Sequence, residues 1–321
     1  MALRFIEEGH VYESTNDEKI KWLSVTSFIA KFKPKFDRDG QAKRSSKNKR
    51  SKWYGMTPKE IIAAWDGETD RAINLGNFYH NQREADIMEL DTIGRDGVEL
   101  PIIKPIIDND GVKFAPKQKL VDGVYPEHLV YLKSAGLCGQ ADVVEIVNGQ
   151  ININDYKTNK EIKEKGFTNW EGITNKMYIP VNHLDDCNLN HYNLQLSIYA
   201  YIIKKHNPKL KIGKLTIQHV KFKKVGEDSN GYPINEHVNG EPVLEGVKIY
   251  ELPYLKDEVN SIITWLKDKN NGINTINTSL FSTSSTINKS SYIIYCTRIR
   301  IFYCNKSSHV ECCWPGLSAK W

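Results

Sequence analysis

Cysteine is scarce through most of the chain. The six thiols are Cys138, Cys187, Cys296, Cys304, Cys312 and Cys313, and four of them fall in the last 26 residues. The two that remain exclude a disulfide framework for the body. No run approaches the roughly 20 apolar residues needed to cross a bilayer. The opening Met1-Ala2-Leu3-Arg4-Phe5-Ile6-Glu7-Glu8 lacks the apolar core and cleavage signal of a secretory leader. A soluble, cytoplasmic protein with no membrane partner is expected. A Gly-x-x-x-x-Gly-Lys-Ser/Thr phosphate loop is also missing, which argues against an ATP-driven motor. So is a Gly-x-Ser-x-Gly nucleophile elbow.

What is present describes a folded chain. Of 321 residues, 40% are hydrophobic and 26% charged, enough for a sizeable core and unlike a disordered or collagenous protein. The net charge of +5 is unevenly spread. From residue 269 onward six basic residues face Glu311 alone, which leaves 38 of each sign in the first 268. Within that neutral body, residues 31–59 carry eleven Lys and Arg against Asp37 and Asp39. A basic segment on a neutral body suggests a polyanion partner such as nucleic acid, and also fits a solvated loop.

The pattern along the chain predicts an α/β fold. Phe5 and Tyr12 flank a turn, and Ser24 is placed to cap a helix through Phe28-Ile29-Ala30. Lys43 to Lys52 has no apolar periodicity and reads as a mobile arm. Thr57-Pro58-Lys59-Glu60 is a capping box opening a helix with Ile61, Ile62 and Trp65, and a second helix is expected over about 70–90. Residues 95–127 are rich in breakers and read as loops with short strands. Val143 to Val147 and Gln150 to Asn154, joined by Asn148-Gly149, form the clearest hairpin. Further on come a helix over about 190–206, strands at 215–222 and 247–252, and an amphipathic helix over about 255–266. Residues 1–268 are expected to form one domain, and 269–321 a poorly structured appendage rich in Ser, Thr and Asn.

The hairpin carries the chemistry. With Val147 opposite Gln150, Asp142 falls directly across from Asp155, and Lys157 projects from the same face. Opposed side chains have Cβ atoms about 4.5–5.5 Å apart, where like charges destabilise a sheet. A divalent, oxygen-liganded cation such as Mg²⁺ or Mn²⁺ relieves that repulsion. An exposed Asp–Lys–Asp ladder without metal is the competing reading. Two other sets have zinc-ligand chemistry: His183, Cys187 and His191 at intervals of four, and Cys304, His309, Cys312 and Cys313 in the tail.

Gly139-Gln140-Ala141-Asp142 followed by Asp155-Tyr156-Lys157-Thr158, with His80 in Gly76-Asn77-Phe78-Tyr79-His80 upstream and Gln195-Leu196-Ser197-Ile198-Tyr199 downstream, resembles the PD-(D/E)XK nucleases. The likeness, over about residues 70–205, is to the RecB-like branch that includes phage exonucleases and the mitochondrial genome maintenance exonuclease. It implies a restriction-endonuclease-like central mixed sheet flanked by helices. It further implies a metal-dependent deoxyribonuclease, an exonuclease on single strands or free DNA ends, serving replication, recombination or repair in a bacterial or phage-infected cell. By resemblance His80, Asp142, Asp155 and the backbone carbonyl of Tyr156 hold one or two Mg²⁺ or Mn²⁺ ions. Asp142, Asp155 and Lys157 are then catalytic, and Gln195 and Tyr199 support the site and the DNA backbone. Glu84, one helical turn beyond His80, is placed to orient a ligand or a water. Lys43, Arg44, Lys47, Lys49, Arg50 and Lys52, interleaved with Phe32, Phe36, Trp53 and Tyr54, are expected to guide a strand by phosphate contact and base stacking. Relatives with an iron–sulfur cluster need a cysteine upstream of the histidine, and none precedes Cys138. The alternatives are a catalytically inactive DNA-binding subunit of the same fold and an RNA-directed nuclease. Replication or recombination proteins are the expected protein partners.

Overall fold

The structure, a computed structural model, describes residues 2–15 and 20–270. The chain opens on a hairpin of β1 (Leu3–Ile6) and β2 (Val11–Ser14), with Phe5 opposite Tyr12 as the sequence predicts. β3 (Leu23–Ser24) leads into α1 (Val25–Ile29), where the Ser24 hydroxyl accepts the Ser27 amide at 3.1 Å. Two helices follow, α2 (Arg38–Lys47) and α3 (Pro58–Met88). Four short strands come next: β4 (Thr92–Arg95), β5 (Val98–Pro101), β6 (Ile106–Ile107) and β7 (Lys113–Phe114). The long strands β8 (Gly123–Leu132), β9 (Leu137–Val147) and β10 (Gln150–Lys157) precede α4 (Asn188–His206) and β11 (Lys211–Phe222). Two small hairpins, β12 (Lys224–Glu227) with β13 (Pro233–Asn235) and β14 (His237–Val238) with β15 (Glu241–Pro242), come before β16 (Leu244–Leu252) and α5 (Lys256–Asn270).

The centre is a mixed sheet in the order β16-β11-β10-β9, with β8 on the other side of β9 and β3 parallel to its start. β10 and β11 run parallel, while β9–β10, β8–β9 and β11–β16 are antiparallel. Strand alternation fills both faces. Val143 and Val147 pack with Tyr79 of α3, Leu100 and Phe222 on one side. Val144, Ile146, Ile151 and Ile153 pack with the α4 and α5 residues Leu194, Ile198 and Ile262 on the other. Helices therefore cover both faces of an α/β sheet. Among the described residues, no helix is long and apolar enough to cross a membrane.

Several expectations need correction. The two helices expected over 57–90 are one helix of 31 residues. Gly67 interrupts the apolar pattern without breaking the backbone, and the Thr69 hydroxyl bonds back to the Trp65 carbonyl at 2.8 Å. The supposed mobile arm is half helical. Asp37 caps α2 through the Gly40 amide, and Ala42 is buried against Trp53 and Ile61. Lys43, Arg44 and Lys47 lie on the exposed side of that helix, and Lys49, Arg50 and Lys52 are exposed beyond it. Of the four aromatics expected to stack on bases, Phe32 and Trp53 are core residues at 1% and 7% exposure, whereas Phe36 and Tyr54 are exposed. β8 falls partly in the stretch read as loops, because Pro126 and the breakers before it mask a ten-residue strand. α5 runs to Asn270, two residues past the expected domain boundary, and the rest of the expected appendage lies outside the described residues.

Candidate metal centre

The hairpin forms in the expected register, from Gln150↔Val147 to Asn154↔Val143. Asn148 and Gly149 both take positive φ, as a two-residue turn of this kind requires. The ladder ends one pair before the two aspartates. There the Asp142 carboxylate swings to accept the Tyr156 amide at 2.8 Å, bridging the strand ends by side chain instead of backbone.

His80 is brought to this point by α3. Its Nδ1 lies 3.3 Å from Asp142 Oδ2, and its Nε2 lies 3.0 Å from the Tyr156 carbonyl. Three of the four ligand groups expected from the sequence are therefore in contact. Asp155, the fourth, is 1% exposed and its carboxylate is engaged by the Lys157 ammonium. Burial alone lowers the Lys157 pKa, but Asp155 and then Asp142 outweigh it, and the net shift is upward. Lys157 also lies 5.0 Å from the centroid of the Tyr192 ring.

A residue that the sequence reading missed completes the cluster. Glu127 sits on β8 between the pairs Pro126↔Val143 and His128↔Ala141, opposite Asp142. Its φ of 48° is a left-handed conformation that a non-glycine residue rarely adopts, and the ladder is interrupted there. Among the described residues, His80, Glu127 and Asp142 are the group whose ligand atoms lie within 4.8 Å of one another. Asp142 is thus flanked by a carboxylate on each neighbouring strand. Burial, followed by the charge of Asp155, pushes the Asp142 carboxyl up to about 6. Burial, followed by Asp142, pushes Glu127 up to about 8, against the opposing effect of Lys113. Gln140 donates to Glu127, and Lys113 stands 3.5 Å from Glu127 and 3.3 Å from Glu84.

These groups open into a cavity of about 730 Å³ overhung by the β1–β2 hairpin. Gly76, His80 and Glu84 line it from one face of α3, as their spacing predicts. Glu84 reaches the cluster through Lys113. From α4 come Gln195 and Tyr199, with the Gln195 amide donating to the Tyr199 hydroxyl at 3.2 Å. Burial holds the Tyr199 hydroxyl well above the ordinary tyrosine range. The hydroxyl end of the Tyr199 ring packs against Gly139, where a Cβ would come within 2.6 Å of Cε1. Asp155 and Lys157 are not part of the cavity lining, and neither are the six cationic residues from Lys43 to Lys52.

The donor set fits a hard divalent cation. Two carboxylates, an imidazole and a nearby carbonyl are oxygen-rich ligands, and burial first, then the neighbouring carboxylates, raises both Asp142 and Glu127. The competing zinc set does not converge. His183 bonds to Glu258 at 2.9 Å, His191 stands 2.8 Å from Asp186, and Cys187 is a buried N-cap. The tail set lies outside the described residues. Comparisons with protein-family models, curated proteins and solved structures find no match.

Proposed function

We propose that this chain is a metal-dependent nuclease of PD-(D/E)XK type, with a restriction-endonuclease-like sheet, that hydrolyses DNA phosphodiester bonds from free or single-stranded ends. The observation that carries the reading is the convergence of His80, Glu127 and Asp142 at one cavity, with the Tyr156 carbonyl 3.0 Å from the His80 ring. His80, Glu127 and Asp142 would hold a Mg²⁺ or Mn²⁺ ion. The chemistry such an ion supplies is polarisation of a phosphoryl oxygen and a bound water of lowered pKa. The chain's own residues set the frame. Tyr156 fixes Asp142 through its amide, and Gln140 and Lys113 fix Glu127. Lys157, freed from Asp155 by an incoming phosphate, would stabilise its developing charge. DNA, and the replication or recombination proteins that deliver its ends, are the partners this reading assigns, in the cytoplasm.

The Asp155–Lys157 ion pair supports a second reading, a DNA-binding subunit of the same fold without catalysis. Digestion of labelled single- and double-stranded DNA, with free or blocked ends, in Mg²⁺, Mn²⁺ or EDTA separates the two. Metal-dependent loss of label from free ends, absent in Lys157→Ala, supports the nuclease. Binding without cleavage under every condition supports the subunit. The same assay on an RNA of equal sequence reports the third class of substrate.

A further inference from the structure

The chain leaves the site in a definite direction. Thr158, Asn159 and Lys160, which follow Lys157 directly, line a second cavity of about 480 Å³ on the other side of α3. The helix separates the two spaces by its periodicity: Ile73, Asn77 and His80 line the first, and Arg71, Ala72 and Leu75 line the second. Helix and strand end approach closely where they meet, since a Cβ on Gly76 would touch the Thr158 hydroxyl at 3.4 Å. Asn159 is held fast, its carbonyl 2.6 Å from His219 Nε2 and its side-chain oxygen accepting the Tyr192 hydroxyl at 2.6 Å.

The lining of this second cavity is cationic. Arg71, Lys160, Lys221, Lys223 and Lys224 face it, against Glu68 and Glu245. Arg71 is paired to Glu68 and Lys223 to Glu236, at 2.7 and 2.8 Å. Lys160, Lys221 and Lys224 are exposed and have no carboxylate partner among the described residues. The far wall is the β12–β13 hairpin, whose Tyr232 packs with Trp53 and lies under Lys52. The cavity therefore leads from the strand that carries Asp155 and Lys157 toward the basic segment around α2.

We propose that this second cavity carries the phosphodiester backbone of the nucleic-acid strand engaged at the metal centre, with Lys160, Lys221 and Lys224 neutralising its phosphates. The proposal rests on the nuclease reading for its substrate class. Phosphate contacts position a strand without reading its sequence, which suits three exposed ammonium groups.

The test is the triple variant Lys160→Gln/Lys221→Gln/Lys224→Gln. Binding of a fluorescein-labelled oligothymidylate is followed by anisotropy in EDTA over a range of salt concentrations. Hydrolysis of bis(4-nitrophenyl) phosphate with Mn²⁺, a substrate too small to reach the second cavity, reports the metal centre separately. Each lost contact to a single strand lowers the slope of log K against log salt by about 0.7, so the variant should lose about 2 from its slope and bind more weakly. The Arg triple variant should restore both. An affinity and slope equal to wild type would overturn the proposal, as would an Arg variant that binds no better than the Gln variant. If wild type cuts neither the small phosphodiester nor labelled DNA in Mn²⁺, the nuclease reading fails, while the binding experiment still decides the fate of the cavity.

Discussion

Gly139 is the residue on which the geometry of the site turns most sharply. It is the first residue of the Gly139-Gln140-Ala141-Asp142 run, and the buried Tyr199 ring occupies the space a side chain would need. A methyl group there must push either the ring or the strand three residues from Asp142. Gly139→Ala is expected to cost about 1–3 kcal/mol, the usual penalty of overpacking a tight core. Thermal denaturation of Gly139→Ala, Tyr199→Leu and the double variant checks the cause. If the ring is the obstacle, the two costs are strongly non-additive and the double variant is more stable than their sum implies. Additive costs would place the strain elsewhere.

At the scale of elements, the site is three adjacent strands, β8, β9 and β10, that each bring one carboxylate to the same level. The β9–β10 half was legible in the sequence. Asn148-Gly149 fixes the turn, the turn fixes the register, and the register places Asp142 beside Asp155. His80 was legible through its helical spacing from Gly76 and Glu84. Glu127 was not, because β8 was hidden by Pro126 and the breakers ahead of it, and its positive φ has no sequence signature in a glutamate. A signal did exist: Leu129-Val130-Tyr131-Leu132 is strand-like, and pairing it back across Gly136 puts Glu127 opposite Asp142. The base-stacking role expected for Trp53 and Phe32 failed for a different reason. Alternation of basic and aromatic residues does not tell which aromatics a short helix buries. Mn²⁺ binding, measured by titration calorimetry, tests the missed residue. Outer ligand supports alone are worth about tenfold in affinity, so Glu127→Gln should weaken binding by about tenfold or more. Binding equal to wild type would remove Glu127 from the cluster.

For the whole molecule, crowding these carboxyls into one site is expected to make stability depend on pH and, on the proposed reading, on metal as well. Asp142 and Glu127 hold protons more tightly folded than unfolded, at about 6 and about 8. Between the ordinary carboxyl range and those values the folded chain binds more protons, so their contribution to metal-free stability falls as pH rises through that window. A divalent cation favours the ionised pair and is expected to stabilise the chain more at about pH 8 than at about pH 5.5. Thermal denaturation in EDTA and in Mn²⁺ at both pH values checks this, and the pH-dependent loss should shrink in Glu127→Gln. A metal increment that is the same at both pH values would show that neither carboxyl binds the ion. The metal centre is tested most directly by comparing Asp142→Asn with wild type. The asparagine oxygen can still accept the Tyr156 amide, so the fold should persist and, without metal, be at least as stable as wild type. End-labelled single-stranded DNA is incubated with each protein in Mn²⁺, and released nucleotide is measured beside DNA affinity. Wild type should release nucleotide, Asp142→Asn should release none, and the two should bind DNA with similar affinity. Release by the variant at the wild-type rate would contradict the proposed metal centre.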